Sequence, residues 1–104
     1  MTSWQIEAEP FPRDHPALAG HFPGNPIVPG SLILQRVIEC LHERHVERET
    51  GEIASAKFVQ PLKPGEAFTI HYRAQAGETR FECRRGETLL ASGTLKPALP
   101  GEAD

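Results

Sequence analysis

One histidine of this chain lies in a segment rich in proline and glycine that leads directly into an apolar helical pattern. The segment runs from Gly20 to Gln35 and reads GHFPGNPIVPGSLILQ. An imidazole such as His21 is largely neutral near pH 7, so it can remove a proton and later return one. A helix that begins at Gly30 or Ser31 offers free backbone N–H groups to an oxygen that gains negative charge. Together these groups indicate acid–base chemistry on a carbonyl compound.

The elements that must hold these groups can be read from the spacing of apolar residues. Residues 4–9 alternate between apolar and polar side chains, which predicts a half-buried strand. Residues 10–29 contain six prolines and predict a long functional loop. Apolar residues then recur at helical spacing, which predicts one helix that is capped by Ser31 and ends near Thr50-Gly51.

Four further strand patterns follow the helix and are separated by turn residues. They cover residues 53–60, 67–75, 79–84 and 88–95. The last of them is expected to turn Leu89 toward the same face as Ala91, Gly93 and Leu95. A strand, a loop, a helix and an antiparallel meander predict an α+β fold in which a curved antiparallel sheet wraps around one central helix. We expect a single domain over residues 1–96 and a flexible tail over 97–104.

The composition limits the classes of partner. The chain has 104 residues, of which 38% are apolar, so its core is small and an oligomer is expected. The net charge of −3 gives no indication of nucleic-acid binding. The first residues lack the basic and apolar regions of a signal peptide, so none is expected. No apolar run approaches the length that spans a membrane, so no membrane segment is expected either.

No metal or cofactor is expected from the remaining chemistry-bearing residues. Cys40 and Cys83 lack metal-type spacing and are interpreted as free, buried thiols of a protein in the reducing cytoplasm. His42 and His45 share a helix face, but no third ligand is evident. His71 is interpreted as a solvated strand residue.

The proline–glycine segment resembles the signature of bacterial 3-hydroxyacyl-(acyl-carrier-protein) dehydratases of the FabZ type. Two weaker similarities follow in the same order along the chain, so that the resemblance covers most of residues 10–95. The three matching runs are His21-Phe22-Pro23-Gly24-x-Pro26-x-x-Pro29-Gly30-x-Leu32-Ile33, Ala56-Lys57-Phe58-x-x-Pro61-x-x-Pro64-Gly65 and Gly86-x-x-x-Leu90-Ala91-x-Gly93.

The resemblance implies the hot-dog fold and a homodimer whose sheets join. In the family, the histidine of one chain and an acidic residue on the central helix of the other form each active site. For this chain it implies His21 as the base and Gln35 as the residue that orients the substrate hydroxyl, with the Gly30 N–H as the oxyanion donor. The substrate would be a 3-hydroxyacyl thioester of an acyl carrier protein or coenzyme A, in fatty-acid, polyketide or aryl-polyene biosynthesis.

Gln35 departs from the family pattern, because an amide cannot donate or accept a proton at useful pH. His21 could perform both proton transfers while Gln35 only orients the hydroxyl. Glu39, one helical turn further on, could partly substitute for the acid. Alternatively, the domain could have lost dehydration and serve as a non-catalytic acyl-binding subunit beside a related hot-dog chain. A hot-dog thioesterase is a further alternative, with Glu39 as its sole candidate carboxylate.

The residues that flank the motif are expected to bind the acyl chain or to belong to the core. They are Phe22, Pro23, Gly24, Ile27, Val28, Ser31 and Phe58. Arg80, Arg84 and Arg85 lie near a predicted hairpin, where they could either dock an acidic carrier protein or be solvated.

Overall fold

Five antiparallel strands and one long helix make up most of the described part of the chain. The computed structural model describes residues 2–18, 26–44, 51–75 and 78–97. In chain order the elements are strand β1 (Thr2–Ala8), a 3-10 turn (Pro16–Leu18), helix α1 (Gly30–Arg44) and strands β2 (Gly51–Phe58), β3 (Phe68–Gln75), β4 (Glu78–Arg85) and β5 (Thr88–Pro97). The helix is described as far as Arg44, and residues 45–50 lie outside the described residues. Gly51, near which the helix was predicted to end, is the first residue of β2. The end of the predicted tail lies outside the described residues, and the division into domain and tail stays a prediction.

The apolar face of the sheet packs on α1. Tyr72 on β3 and Phe81 on β4 are almost completely buried, as is Val37 on the helix. The Tyr72 hydroxyl donates a hydrogen bond of 2.6 Å to the Val37 carbonyl, which ties the sheet to the middle of the helix. The prediction of an antiparallel sheet packed on one helix is confirmed.

The strand order differs from the predicted four-strand meander. Only β3, β4 and β5 form a meander, and the full order is β1-β3-β4-β5-β2. The long connection that contains α1 separates β1 from β2 in the sequence and lets the chain leave one edge of the sheet and return at the other. A helical connection of this length does not require its flanking strands to be neighbours.

The predicted core-facing side of β5 is wrong at Leu89, because β5 contains a β-bulge. Cys83 pairs with Ala91 whereas Arg84 pairs with Leu89, so Leu90 is an extra residue opposite β4. An extra residue reverses which side chains face the core. Leu90 is therefore fully buried and Leu89 only partly so.

The N-terminus of α1 also differs in detail from the prediction. The Pro29 carbonyl accepts from the N–H groups of Leu32 and Ile33, at 3.0 and 3.4 Å. Pro29 is therefore the N-cap and Gly30 the first helical residue. Ser31 lies exposed within the first turn and does not cap the helix, because the carbonyl one residue before Gly30 already begins the hydrogen-bond ladder.

Cys40 and Cys83 form no disulfide and both are buried, as predicted. Burial and the neighbouring Cys40 raise the pKa of Cys83 from 9.0 to about 12. Below about pH 9 the thiol is neutral in both the folded and the unfolded state. As pH rises from 9 toward 12 the unfolded thiol ionises first, so the free energy of unfolding falls over this range. We expect the urea midpoint of the wild type to fall more between pH 8 and pH 10.5 than that of Cys83→Ala. Equal slopes for the two proteins, or rapid alkylation of native Cys83 at pH 8, would contradict this assignment.

Candidate active site

A cleft of about 520 Å³ opens at the N-terminus of α1. One wall consists of residues predicted for the site. These residues are Ile27, Val28, Gly30 and Ser31. Phe58, at the end of β2, faces them and was also predicted for the site. The segment that follows β2 completes the opposite wall with Val59, Gln60, Pro61 and Leu62, which sequence reasoning missed. Pro61 in the second matching run was the available signal for this wall.

Backbone hydrogen bonds hold the two walls of the cleft together. The Val28 N–H donates to the Leu62 carbonyl at 2.8 Å, which joins the loop before the helix to the segment after β2. The Leu90 carbonyl at the β5 bulge accepts from the N–H groups of Val59 and Gln60, at 2.7 and 3.3 Å. The bulge therefore positions a wall of the cleft.

Gly30 is required by the close approach of an aromatic ring. A Cβ at position 30 would lie 2.5 Å from Cζ of Phe58. Phe58 pairs with Ala91 across the sheet, yet 50% of its surface remains exposed at the cleft. The ring can cover the first turn of α1 because residue 30 has no side chain.

The first turn of α1 places backbone hydrogen-bond donors at this cleft. Among the described residues, no backbone carbonyl accepts from the N–H groups of Gly30 and Ser31. N–H groups at the positive end of a helix dipole stabilise negative charge. The cleft can therefore receive a carbonyl oxygen that becomes negatively charged, beside an apolar ring.

Gln35 lies outside this cleft, on the exposed side of the helix. Five helical positions from Gly30 correspond to about 140° of rotation and about 7.5 Å along the axis. The amide Nε2 donates to Oε2 of Glu39 at 3.2 Å. The structure therefore does not bring Gln35 and Gly30 together within one chain, and Glu39 accompanies Gln35.

Four predicted site residues, His21, Phe22, Pro23 and Gly24, lie outside the described residues, so their roles remain predictions. The described residues contain no group of three or more His, Cys, Asp or Glu side chains arranged to hold a metal. No helix within those residues has the length and apolar character needed to cross a membrane.

The three arginines considered for carrier docking do not form one unpaired patch. Arg84 forms an ion pair of 3.0 Å with Glu82, and Arg85 forms one of 3.0 Å with Glu66. Arg80 is exposed on β4. Two of the three charges are thus balanced within the chain.

An antiparallel sheet packed on one helix, with a cleft at the start of that helix, defines a protein of the hot-dog class. The sequence profile of the ApeI-like family, described as ApeI dehydratase, matches residues 1–94. This chain belongs to the ApeI-like dehydratase family, which agrees with the resemblance seen in the sequence.

Two curated relatives carry the name 3-hydroxyacyl-[acyl-carrier-protein] dehydratase FabZ. The protein of Fusobacterium nucleatum is 32% identical over 85 residues, which cover 76% of this chain and 60% of the relative. The protein of Chlamydia trachomatis serovar L2 is 33% identical over 98 residues, which cover 79% of this chain and 63% of the relative. The chain thus spans about three fifths of the length of these relatives.

Two solved structures share the fold. The dehydratase heterocomplex ApeI:P from Xenorhabdus doucetiae matches with a TM-score of 0.75 and 20% identity, over 90% of this chain and 85% of the other. An uncharacterized protein from Erwinia carotovora subsp. atroseptica matches with a TM-score of 0.72 and 26% identity, over 93% and 86%. The predicted hot-dog fold is confirmed by these similarities.

Proposed function

We propose that this protein is a dehydratase that converts a 3-hydroxyacyl thioester to the trans-2-enoyl thioester. The observation that carries the proposal is the pair of N–H groups at Gly30 and Ser31 in an apolar cleft, neither of which is bonded to a backbone carbonyl of the described residues. An enolate oxygen formed from a thioester is the kind of anion that such donors stabilise. The His21 motif directly before this helix supplies the base, and family membership supports the same reaction.

The reaction needs one base, one oxyanion site and one proton for the leaving group. His21 removes a proton from C2, and the electron pair moves onto the thioester oxygen. The Gly30 N–H donates to that oxygen, a contribution of about 3–4 kcal/mol to the transition state. As the enolate re-forms its carbonyl, the double bond forms between C2 and C3 and the C3–O bond breaks. The protonated His21 returns its proton to the departing hydroxyl, which leaves as water, while Gln35 orients that hydroxyl.

The position of Gln35 supports a homodimer in which each active site uses both chains. Gln35 faces away from the cleft of its own chain, so it would serve the cleft of a partner. Phe58 is the last residue of the edge strand β2 and Val59 follows it, and these two large apolar residues are 50% and 44% exposed. Edge strands with exposed apolar residues tend to pair with another chain. A second copy of β2 beside β2 would join the sheets, and a related hot-dog chain is the alternative partner.

The proposed substrate is carried by an acyl carrier protein, because the curated relatives are named for that carrier. Coenzyme A is the alternative carrier. The proposed setting is fatty-acid, polyketide or aryl-polyene biosynthesis in the cytoplasm, a compartment consistent with two cysteines that form no disulfide. The chemistry above uses only side chains and backbone groups, so the proposal includes no cofactor.

Intact-protein mass spectrometry of a 3-hydroxyacyl carrier protein tests the proposal. Incubation with the purified protein is expected to convert part of the acyl carrier to a species that is lighter by one water, and incubation of the enoyl carrier protein is expected to reach the same mixture from the other direction. Release of the free carrier thiol would instead indicate a thioesterase. Acyl-carrier binding without any mass change would overturn the dehydratase proposal in favour of a non-catalytic subunit, the reading that the amide at Gln35 favours.

The Gln35→Glu variant is expected to dehydrate faster than the wild type. Its new carboxyl group would supply the acidic side chain that the FabZ-type pattern has at this position and that an amide cannot replace as a proton donor. A second group that can protonate the leaving hydroxyl is expected to raise kcat roughly 10-fold or more. The pH dependence of kcat, with Gln35→Asn as the control that keeps an amide, measures this effect. A lower rate in a folded Gln35→Glu protein would show that the amide suits the natural substrate better.

A further inference from the structure

Glu39 is the hydrogen-bond partner of Gln35, the residue that replaces the acid of the FabZ-type motif. The Gln35 Nε2 lies 3.2 Å from Oε2 of Glu39, one helical turn away. An ionised carboxylate can only accept hydrogen bonds, whereas an amide has a donating and an accepting end. The contact therefore turns the amide NH2 toward Glu39 and leaves the Gln35 Oε1 directed away from Glu39.

Arg36 forms an ion pair with Glu39 and keeps the Glu39 carboxylate next to the Gln35 amide. The Arg36 Nε lies 3.7 Å from Oε1 of Glu39. Arg36 is itself anchored twice, because its Nη1 donates to the Glu9 carbonyl at 2.6 Å and its guanidinium lies 4.2 Å from the centre of the Phe11 ring. Its side chain is only 21% exposed, compared with 54% for Glu39. The orientation of the amide is thus linked through Glu39 to a well-anchored arginine.

We propose that Glu39 is a positioning residue that makes Gln35 select a hydroxyl at C3 of the substrate. With its Oε1 presented to the site, Gln35 accepts a hydrogen bond from the 3-hydroxyl group. The lone pairs of that hydroxyl then remain available to the proton that His21 returns. A 3-oxoacyl thioester has only an acceptor at C3, so it would face the Gln35 Oε1 without a hydrogen bond. This inference rests on the proposed function, because it assigns the substrate discrimination of that same site.

Binding measurements in the His21→Ala background test the inference without turnover. The probes are 3-hydroxyhexanoyl-pantetheine and 3-oxohexanoyl-pantetheine, with dissociation constants from isothermal titration calorimetry. We expect the 3-hydroxy compound to bind about 10-fold more tightly than the 3-oxo compound, because the wrong partner leaves a polar group unpaired. Adding Glu39→Ala frees the amide to turn its NH2 toward a 3-oxo group, so the preference is expected to fall to about 2-fold or less.

A double-mutant cycle separates positioning from a structural role. In a Gln35→Ala background, Glu39→Ala is expected to change neither dissociation constant, since Glu39 acts only through Gln35. Glu82→Ala, which also removes a carboxylate paired with an arginine, is the matched control and is expected to keep the preference. An unchanged preference in Glu39→Ala, or an equal loss with and without Gln35, would overturn the inference. Failure of the proposed function would give a different result, because the wild type would then remove no water from the carrier-bound substrate.

Discussion

The His21→Ala variant is expected to lose dehydration while keeping its fold. In the proposed mechanism this side chain removes the C2 proton and later protonates the hydroxyl, so one substitution removes both proton transfers. General acid–base groups typically contribute 10²–10⁴-fold each, and we therefore expect kcat to fall by at least about 10³-fold. The measurement is the rate of water loss from a 3-hydroxyacyl carrier protein, with circular dichroism and the urea midpoint as checks of the fold.

His71→Ala is the matched control for this experiment. His71 also carries an imidazole, but it lies on β3 opposite Gln5 and Glu82, at positions whose side chains face away from the core. Its removal is expected to leave kcat within about 2-fold of the wild type, as for most surface substitutions away from a site. Retained activity in folded His21→Ala protein would exclude His21 as the base and would require another group for proton abstraction.

The Gly30→Ala variant is expected to have the second largest effect. The new Cβ would lie 2.5 Å from Cζ of Phe58 and 2.8 Å from Cε1, so the ring or the helix end must move. Overpacking of this kind costs about 1–3 kcal/mol, which exceeds the gain of up to about 1 kcal/mol from alanine as a helix former. Movement of the helix end also displaces the oxyanion donor, and loss of one such donor lowers kcat about 10²–10³-fold. Steady-state kinetics and urea unfolding measure the two effects.

Phe58 provides the internal control for Gly30→Ala. When the ring is removed by Phe58→Ala, the alanine at position 30 no longer meets it, so we expect the two substitutions to be strongly non-additive in stability. The free energy of unfolding of Gly30→Ala with Phe58→Ala is expected to match that of Phe58→Ala alone within about 0.5 kcal/mol. Additive losses would show that the ring contact does not explain the glycine.

Local patterns predicted much of this fold because they depend on residues close together in the chain. Alternation with a period of two assigned the buried side of β1, where Ala8 is buried, and of β3, where Ile70 and Tyr72 are buried. Helical spacing predicted a helix beginning at Gly30 or Ser31, and it begins at Gly30. The residues that the motif singled out, such as Val28 and Phe58, do line one cleft.

Other features depended on contacts between distant segments. The bulge at Leu90 arises from pairing with β4, which no alternation within β5 reveals. The cleft wall at residues 59–62 depends on the Leu90 carbonyl and on the bond from Val28 to Leu62. Backbone hydrogen bonds between remote positions leave no mark in composition or period, so apart from Pro61 in the second matching run nothing in the sequence indicated this wall.

The difference between what the sequence determined and what the tertiary structure decided is clearest at Gly30 and Gln35. The sequence by itself determined that a histidine in a segment rich in proline and glycine precedes a helix with an amide at Gln35, since these are residue identities and short spacings. Only the tertiary structure decided that the Phe58 ring lies against Gly30 and that Gln35 lies outside the cleft that they line. Sheet pairing and side-chain packing decide these two features, because they depend on segments that are distant in the chain. The contact of Gln35 with Glu39, in contrast, follows from the spacing of one helical turn.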